Sequence, residues 1–238
     1  MADNSVEGLK ARYGDRWRWL AVATVMIGTM ATVLSATVVN VALHDIMVEF
    51  GIRQGQVHWL ATGFIAAMTT TMLASSWLLD HFGVRKTLAV AMFLFTLISL
   101  AGGFAETPGQ LIAARIGQGA MAGLIQPMGM YLVFRIFPRD RRGQAMGIYG
   151  MGVILAPSLG PVLGGFLVDQ LDWRYVMFAP APVTLLGVLM AWRFLPLPVS
   201  RPAPYRFDLP GLLLLGLTIA LSLDTLNRLQ QASGQQTW

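Results

Sequence analysis

Two polar side chains stand out because they lie inside an apolar segment. Arg115 and Gln118 are about one helical turn apart in the stretch 111–134, and Arg115 is the only strongly basic residue well inside such a stretch. If the stretch crosses a bilayer, keeping an arginine there costs about 2.5–3.5 kcal/mol on insertion scales. Because arginine does not lose its proton in practice, Arg115 would tune a neighbouring group or hold an anion.

Two placements of the Arg115 side chain remain open. It lies roughly 6 Å from the start of its segment, at about 1.5 Å per residue, so it can extend to the nearer membrane surface. Alternatively, it faces a polar cavity together with Gln118 and, further along the same segment, Gln126. We favour the cavity, because lysine and arginine are otherwise rare on the nearer surface.

The other polar residues do not assemble a catalytic or metal site. His44, His58 and His81 are scattered over different loops and segment ends, without the HExxH spacing of a zinc enzyme. The chain has no cysteine, no Gly-x-Ser-x-Gly elbow and no GxxxxGK[ST] phosphate loop. We therefore expect no enzyme activity, cofactor or metal. Nucleic acid is not an expected partner, because the net charge of +5 comes from short basic segments without a basic, aromatic-interleaved face.

The elements that position Arg115 are apolar blocks. The chain is 55% hydrophobic and 12% charged, with a mean hydropathy of +0.59, whereas a soluble domain carries about twice that share of charge. Most of the blocks have the roughly 17–25 residues that cross a bilayer, although the last must extend toward Leu229 to do so. The blocks are 19–43, 57–79, 87–105, 111–134, 144–168, 175–192 and 209–223. They predict an all-α polytopic membrane protein with the lipid bilayer as its surroundings.

The basic residues predict the orientation of the chain. With the N-terminus in the cytoplasm, only Arg53, Arg174 and Arg228 lie outside, and all other loop lysines and arginines lie inside. We therefore expect a multi-pass protein of the cell (inner) membrane with a cytoplasmic N-terminus. The predicted organisation is a cytoplasmic N-terminal tail (1–18), a six-helix bundle (19–195), a proline-rich cytoplasmic linker (196–208), a seventh membrane helix (209–229) and a truncated tail (230–238).

The block 144–168 combines small residues with proline. Four small residues recur at every fourth position, so on a helix they form one face that lets another backbone come close. They are Gly152, Ala156, Gly160 and Gly164. Pro157 and Pro161 share this spacing on the neighbouring stripe and locally free backbone carbonyls. The pattern predicts a pliable packing element, and it resembles the antiporter motif of the major facilitator superfamily. That resemblance implies packing against a helix of the opposite half of a transporter.

A second segment, 76–86, is similar to the cytoplasmic loop motif of the same superfamily. The residues that match are Asp80, Gly83 and Arg85, whereas His81 and Val84 stand at two customary arginine positions. The resemblance implies a latch between neighbouring helices, with Asp80 at helix ends and Gly83 supplying the turn. An ordinary basic loop with an incidental acidic residue is the alternative.

Two further segments resemble the fourteen-helix drug:proton antiporter branch. Arg115 and Gln118 match its fourth-helix motif. The stretch 34–43 is similar to its first-helix signature, but Ser35 stands where an acidic residue is usual, and a serine cannot replace a proton-carrying carboxylate. Thr37 and Asn40 in this stretch either line a polar cavity or form hydrogen bonds between helices.

The resemblance implies the N-terminal half of an all-α, six-helix transporter bundle followed by a linker helix. The implied function is proton-coupled efflux of multidrug or amphipathic compounds by alternating access. The expected partners are an amphipathic small molecule, H⁺, a C-terminal half from the same or a separate chain, and a periplasmic adaptor protein. The alternatives are an uncoupled facilitator, favoured by Ser35, and a non-transporting half that acts as a membrane scaffold or regulator.

Overall fold

The described residues of the chain fold entirely into helices and short connections. The computed structural model describes residues 5–197 and 207–234. Its helices in chain order are α1 (Val6–Tyr13), α2 (Arg16–Phe50), α3 (Gln54–Val57), α4 (Trp59–Met72), α5 (Ala74–Gly103), α6 (Pro108–Ile125), α7 (Met128–Ile136), α8 (Arg142–Gln170), α9 (Arg174–Phe178), α10 (Pro180–Phe194) and α11 (Leu209–Gly234). Among these residues, α2, α5, α8 and the stretch through α9 and α10 are long and apolar enough to cross a membrane. The predicted all-α class is confirmed.

The N-terminal region is more ordered than the predicted tail 1–18. Helix α1 is capped by the Ser5 side chain, which accepts a hydrogen bond from the Gly8 amide at 3.1 Å. Helix α2 already begins at Arg16, and the indole of Trp17 donates to the Phe194 carbonyl oxygen at 2.8 Å. The helix that contains the first predicted span therefore begins before residue 19, and the buried Trp17 docks its start onto the end of α10.

Two of the predicted spans each comprise two consecutive helices, and the residues between these helices keep helical dihedral angles. The span 57–79 is divided between α4 and the start of α5, with Leu73 between them. The span 111–134 is divided between α6 and α7 at Gln126 and Pro127. Proline has no N–H to donate, so one helical hydrogen bond is missing at Pro127 although its dihedral angles stay helical.

The third span begins at a sharp kink within α5. Gly83 has φ 77° and ψ 160°, a conformation that favours glycine because it has no Cβ. The hydroxyl of Thr87 donates to the Gly83 carbonyl at 2.9 Å, just after the kink. This turn lies at the position that the sequence assigned to the loop between spans two and three.

The helices form one bundle in which α2 is the central element. Helix α2 packs against α8, α10 and α6, while α4 packs closely on α6 and α5 lies against both α6 and α10. The inner faces form apolar clusters that include Val25, Met92 and Leu132. Large apolar side chains such as Phe93 and Leu97 remain exposed on the outer face of α5, as expected for a surface in contact with lipid tails.

The last helix, α11, lies against α4. Gly216 approaches the side chain of Thr70, and the apolar segment of this helix is 209–223. The backbone stays helical to Gly234, beyond the predicted end at residue 229. Most of the predicted linker 196–208 lies outside the described residues, as does the end of the predicted tail 230–238.

Candidate functional site

Helix α6 brings Arg115 close to α4. Its first turn is well capped, and two of its glycines let the two backbones touch. A capping box between Thr107 and Gln110, followed by Pro108, fixes the first turn. A Cβ at Gly119 would overlap the Phe64 carbonyl oxygen of α4, and further along the helix one at Gly123 would meet α4 in the same way. The two backbones are therefore in contact, and the Arg115 side chain is held between them.

Arg115 is enclosed by side chains and backbone from α2, α4 and α6. Its Nη1 donates to Ser35 Oγ at 3.1 Å and to Gln118 Oε1 at 2.8 Å. Its Nε donates to the Leu60 carbonyl oxygen at 3.2 Å, and the guanidinium carbon lies 4.4 Å from the centre of the Phe64 ring. The residue is 1% exposed, so its side chain does not extend to the membrane surface.

The hydrogen bonds continue from Arg115 to a fourth helix. The Gln118 amide nitrogen donates to Ser99 Oγ of α5 at 2.7 Å, and both side chains are fully buried. One polar network thus joins α2, α4, α5 and α6 in an otherwise apolar interior. A buried polar network costs free energy unless every donor and acceptor in it has a hydrogen-bond partner, because the dielectric constant of the surroundings is low.

The positive charge of Arg115 has no negative partner among residues 5–197 and 207–234. The ion pairs found there are Arg18 with Asp15, Arg141 with Asp140, and Arg174 with Glu49 and Asp172. The Nη2 atom of Arg115 is buried and has no hydrogen-bond partner. A buried cation without a counter-ion is a costly arrangement, and intramembrane charges of this kind mark functional sites.

The comparisons with known proteins decide the family. A family profile described as Major Facilitator Superfamily matches residues 25–223, which is most of the chain. The chain belongs to this superfamily. It is 35% identical over 217 residues to the uncharacterized MFS-type transporter Rv1250 of Mycobacterium tuberculosis, a match that covers 91% of this chain and 37% of the relative. The multidrug export protein EmrB of Haemophilus influenzae is 32% identical over 200 residues, covering 84% of this chain and 39% of that protein.

A solved structure supports the superfamily fold. The crystal structure of the peptide transporter POT superposes with a TM-score of 0.69 at 16% sequence identity, over 85% of this chain and 45% of that one. At this identity the likeness shows the fold alone. The chain spans well under half the length of the two relatives named above. Superfamily membership confirms that this is a multi-pass membrane protein of a transporter family.

The superfamily residues predicted to line a cavity are only partly brought together. Gln118 contacts Arg115, but Thr37 donates to the carbonyls of its own helix and faces Gly160. Asn40 is exposed on α2, and Gln126 is half-buried at the end of α6, where its backbone carbonyl accepts from the Tyr149 hydroxyl at 3.4 Å. A cavity-lining role for these residues stays a prediction.

Ser35 is the residue of α2 that contacts Arg115. The sequence drew attention to it only because it departs from the superfamily pattern. Ser35 occupies the position where an acidic residue is usual, and its hydroxyl contacts the Arg115 guanidinium directly. Phe64 and Ser99 were not among the predicted site residues. They had no sequence signal, because an aromatic ring or a serine in an apolar helix is ordinary.

The loop motif of the superfamily lies at the end of the bundle where α5 turns. Asp80 is exposed just before the Gly83 kink, and Arg85 is buried just after it. The guanidinium carbon of Arg85 lies 4.8 Å from the centre of the Trp192 ring on α10. This cation–π contact connects the turn of α5 to the end of α10.

The small-residue face of α8 packs against α2 of the same chain. Gly152, Ala156, Gly160 and Gly164 are its buried small residues. Added Cβ atoms at the glycines would meet α2 residues from Met26 through Thr37 to Val41. The prediction that this face packs against the opposite half is therefore wrong. The physical reason is that α2 passes close enough to α8 to cover the whole stripe.

A different face of α8 stays open. Pro157 and Pro161 are exposed, together with large apolar side chains such as Ile154 at 72% and Val162 at 69%. Only 22% of the apolar window of this helix is buried, the lowest share among the four candidate spans in the described ranges. The proline stripe, rather than the glycine stripe, is the surface of α8 available to lipid or to another helix bundle.

An ion pair ties the ends of α2 and α9 together. The Arg174 guanidinium contacts Glu49 at 2.6 Å and Asp172 at 3.6 Å, and the Trp173 indole donates to Glu49 as well. Asp172 is two residues from Arg174 in sequence, whereas Glu49 is on a distant helix. A partner 125 residues away in sequence is set by the fold and has no local pattern.

Proposed function

We propose that this chain forms the N-terminal half of a proton-coupled exporter of amphipathic compounds that works by alternating access. The observation that carries the proposal is the buried Arg115 network, which places an uncompensated charge at the junction of four helices. The named relative that exports multiple drugs supports the direction of transport. In this proposal the N-terminus faces the cytoplasm of a cell (inner) membrane, as the basic residues predict.

A second half completes the transport route in this proposal. The chain covers 37% of one relative and 39% of another, and the proline stripe of α8 leaves a large apolar surface uncovered. A matching half, from the same or a separate chain, packs there and alternates between two orientations. A periplasmic adaptor protein is a further partner that the family branch allows.

An uncoupled facilitator is the second candidate function. Ser35 supports it, because this residue offers Arg115 a hydroxyl instead of a carboxylate that could carry a proton. Under the first proposal, the proton-carrying acid belongs to the other half. A non-transporting scaffold has no specific observation in its favour.

Proton release on substrate addition separates the two functions. The purified protein would be reconstituted into liposomes that contain a pH-sensitive dye. Amphipathic aromatic drugs would then be added one at a time, including a cationic drug such as ethidium and drugs that are neutral or carry a carboxylate. A coupled exporter releases protons when the drug is added and accumulates the drug against its gradient when a pH gradient is imposed. Drug equilibration without proton movement would instead assign the facilitator, and no drug movement at all would contradict both.

The Asp80→Asn variant is expected to lower the transport rate at saturating substrate about tenfold or less, with little change in apparent affinity. The neutral amide keeps the shape of Asp80 but removes its charge from the exposed turn before Gly83, where the latch is proposed. Asp140→Asn is the matched control, since Asp140 is an exposed acid beside Arg141 in another connection. Equal transport rates for Asp80→Asn and Asp140→Asn would contradict a latch role for Asp80.

A further inference from the structure

We propose that a monovalent anionic group binds at the Nη2 edge of Arg115. The group is either a carboxylate of the transported molecule or a free halide, since both present the same charge to the guanidinium. This inference rests on the proposed transport function and adds the charge class of the bound species. It predicts that the Arg115 site contains a negatively charged group when the exporter has its ligand bound.

The first argument is the charge balance. The three groups that accept hydrogen bonds from Arg115 are neutral: the Ser35 hydroxyl, the Gln118 side-chain amide and the Leu60 backbone carbonyl. None of the ion pairs within the described ranges includes Arg115. Neutral acceptors lower the cost of burying a guanidinium but do not cancel its charge. The site is therefore one negative charge short.

The second argument is geometric. Nη2 is fully buried and has no acceptor, although the Nη1 and Nε atoms of the same guanidinium are satisfied. The Ser35 hydroxyl accepts from Nη1 and keeps its own proton to donate. The Phe64 ring, 4.4 Å from the guanidinium carbon, lies over the planar face and leaves the edge as the binding direction. An anion at that edge accepts hydrogen bonds from the N–H groups of Nη2, which is the charge-assisted contact that a carboxylate or halide makes with a guanidinium.

The third argument concerns access. Arg115 is enclosed here by α2, α4 and α6, so an anion reaches it only when these helices separate. Alternating access already includes such an opening. The α4 and α6 backbones are in close contact at Gly119, whereas α2 is joined to the guanidinium by the hydrogen bond from Nη1 to Ser35. In this inference α2 is therefore the helix that moves away.

Ligand-dependent thermal stability tests the anion site without relying on transport. The full protein, purified in a neutral detergent and a zwitterionic buffer without added salt, would be titrated with sodium benzoate, with its neutral analogue benzamide, and with sodium chloride. We expect benzoate to raise the unfolding temperature at concentrations about tenfold lower than benzamide, because charge-assisted hydrogen bonds to Arg115 require the carboxylate. A rise with chloride alone would identify a free halide as the source of the charge. Equal effects of benzoate and benzamide, with none from chloride, would overturn the inference.

Two substitutions at Ser35 attribute the anion effect to Arg115. Ser35→Asp supplies a permanent carboxylate, so the variant is expected to unfold at a higher temperature without ligand and to lose the preference for benzoate. Ser35→Asn adds similar bulk without charge, and its unfolding temperature falls while benzoate still acts more strongly than benzamide. Loss of the preference in both variants would show that bulk, not charge, is responsible and would contradict the site. A protein that binds benzoate but transports nothing contradicts only the proposed function.

Discussion

Arg115→Ala is expected to lower transport roughly 100-fold while the protein still inserts into the membrane and folds. The truncation removes donors to Ser35, Gln118 and Leu60, and each charge-assisted hydrogen bond contributes about 1.5–3 kcal/mol. It also removes a buried cation that lacks a counter-ion, so the loss of these contacts is partly offset in the free energy of unfolding. We therefore expect a larger loss of transport than of stability. Initial transport rates measure the first effect, and unfolding curves of the protein in detergent measure the second.

Arg115→Lys separates charge from geometry. Lysine keeps the positive charge and three donors, but its compact ammonium lacks the planar fork with which the guanidinium reaches separate acceptors while it stacks on Phe64. We expect it to recover only a small part of the transport lost in Arg115→Ala. Arg139→Ala is the control for loss of an arginine, because Arg139 is exposed in a connection outside the bundle. Near-normal transport by Arg115→Ala would assign this residue a structural role alone.

The sequence predicted local features of this site better than its long-range contacts. The depth of Arg115 in an apolar block and the one-turn spacing to Gln118 follow from helical geometry. The contact with Ser35 spans 80 residues and depends on how α2 crosses α6. No local pattern contains that crossing, and the serine was identified only because it departs from a familiar signature.

The fold shows the same division. The spacing of Gly152, Ala156, Gly160 and Gly164 correctly indicated one buried face, since a period of four residues follows from the α-helix itself. Which helix covers that face was predicted wrongly, because small residues allow close approach to any partner and do not specify one. The kink at Gly83 was placed correctly, whereas the start of α2 at Arg16 depends on the docking of Trp17 onto α10.

Gly160→Leu is expected to separate α8 from α2 and to abolish transport. A Cβ at this position would overlap the hydroxyl oxygen and the Cβ of Thr37, and the longer leucine side chain has no space between the two helices. Inserting bulk into a packed contact typically costs about 1–3 kcal/mol. Because α8 packs mainly on α2, the leucine disturbs the principal contact of this helix with the rest of the bundle. The unfolding temperature and the transport rate of the purified variant are therefore both expected to fall.

Gly165→Leu provides the matched control on the same helix. A Cβ at Gly165 meets no atom within 4 Å, so leucine there adds the same volume to α8 at a position where the side chain begins in open space. If the close approach at Thr37 is the cause, the milder variant Gly160→Ala is partly rescued by Thr37→Ala, which removes the nearest obstructing atom. If leucine at Gly160 and leucine at Gly165 lower transport and the unfolding temperature equally, then added volume on any face of α8 is harmful. In that case its open proline stripe, not its contact with α2, would govern the motion.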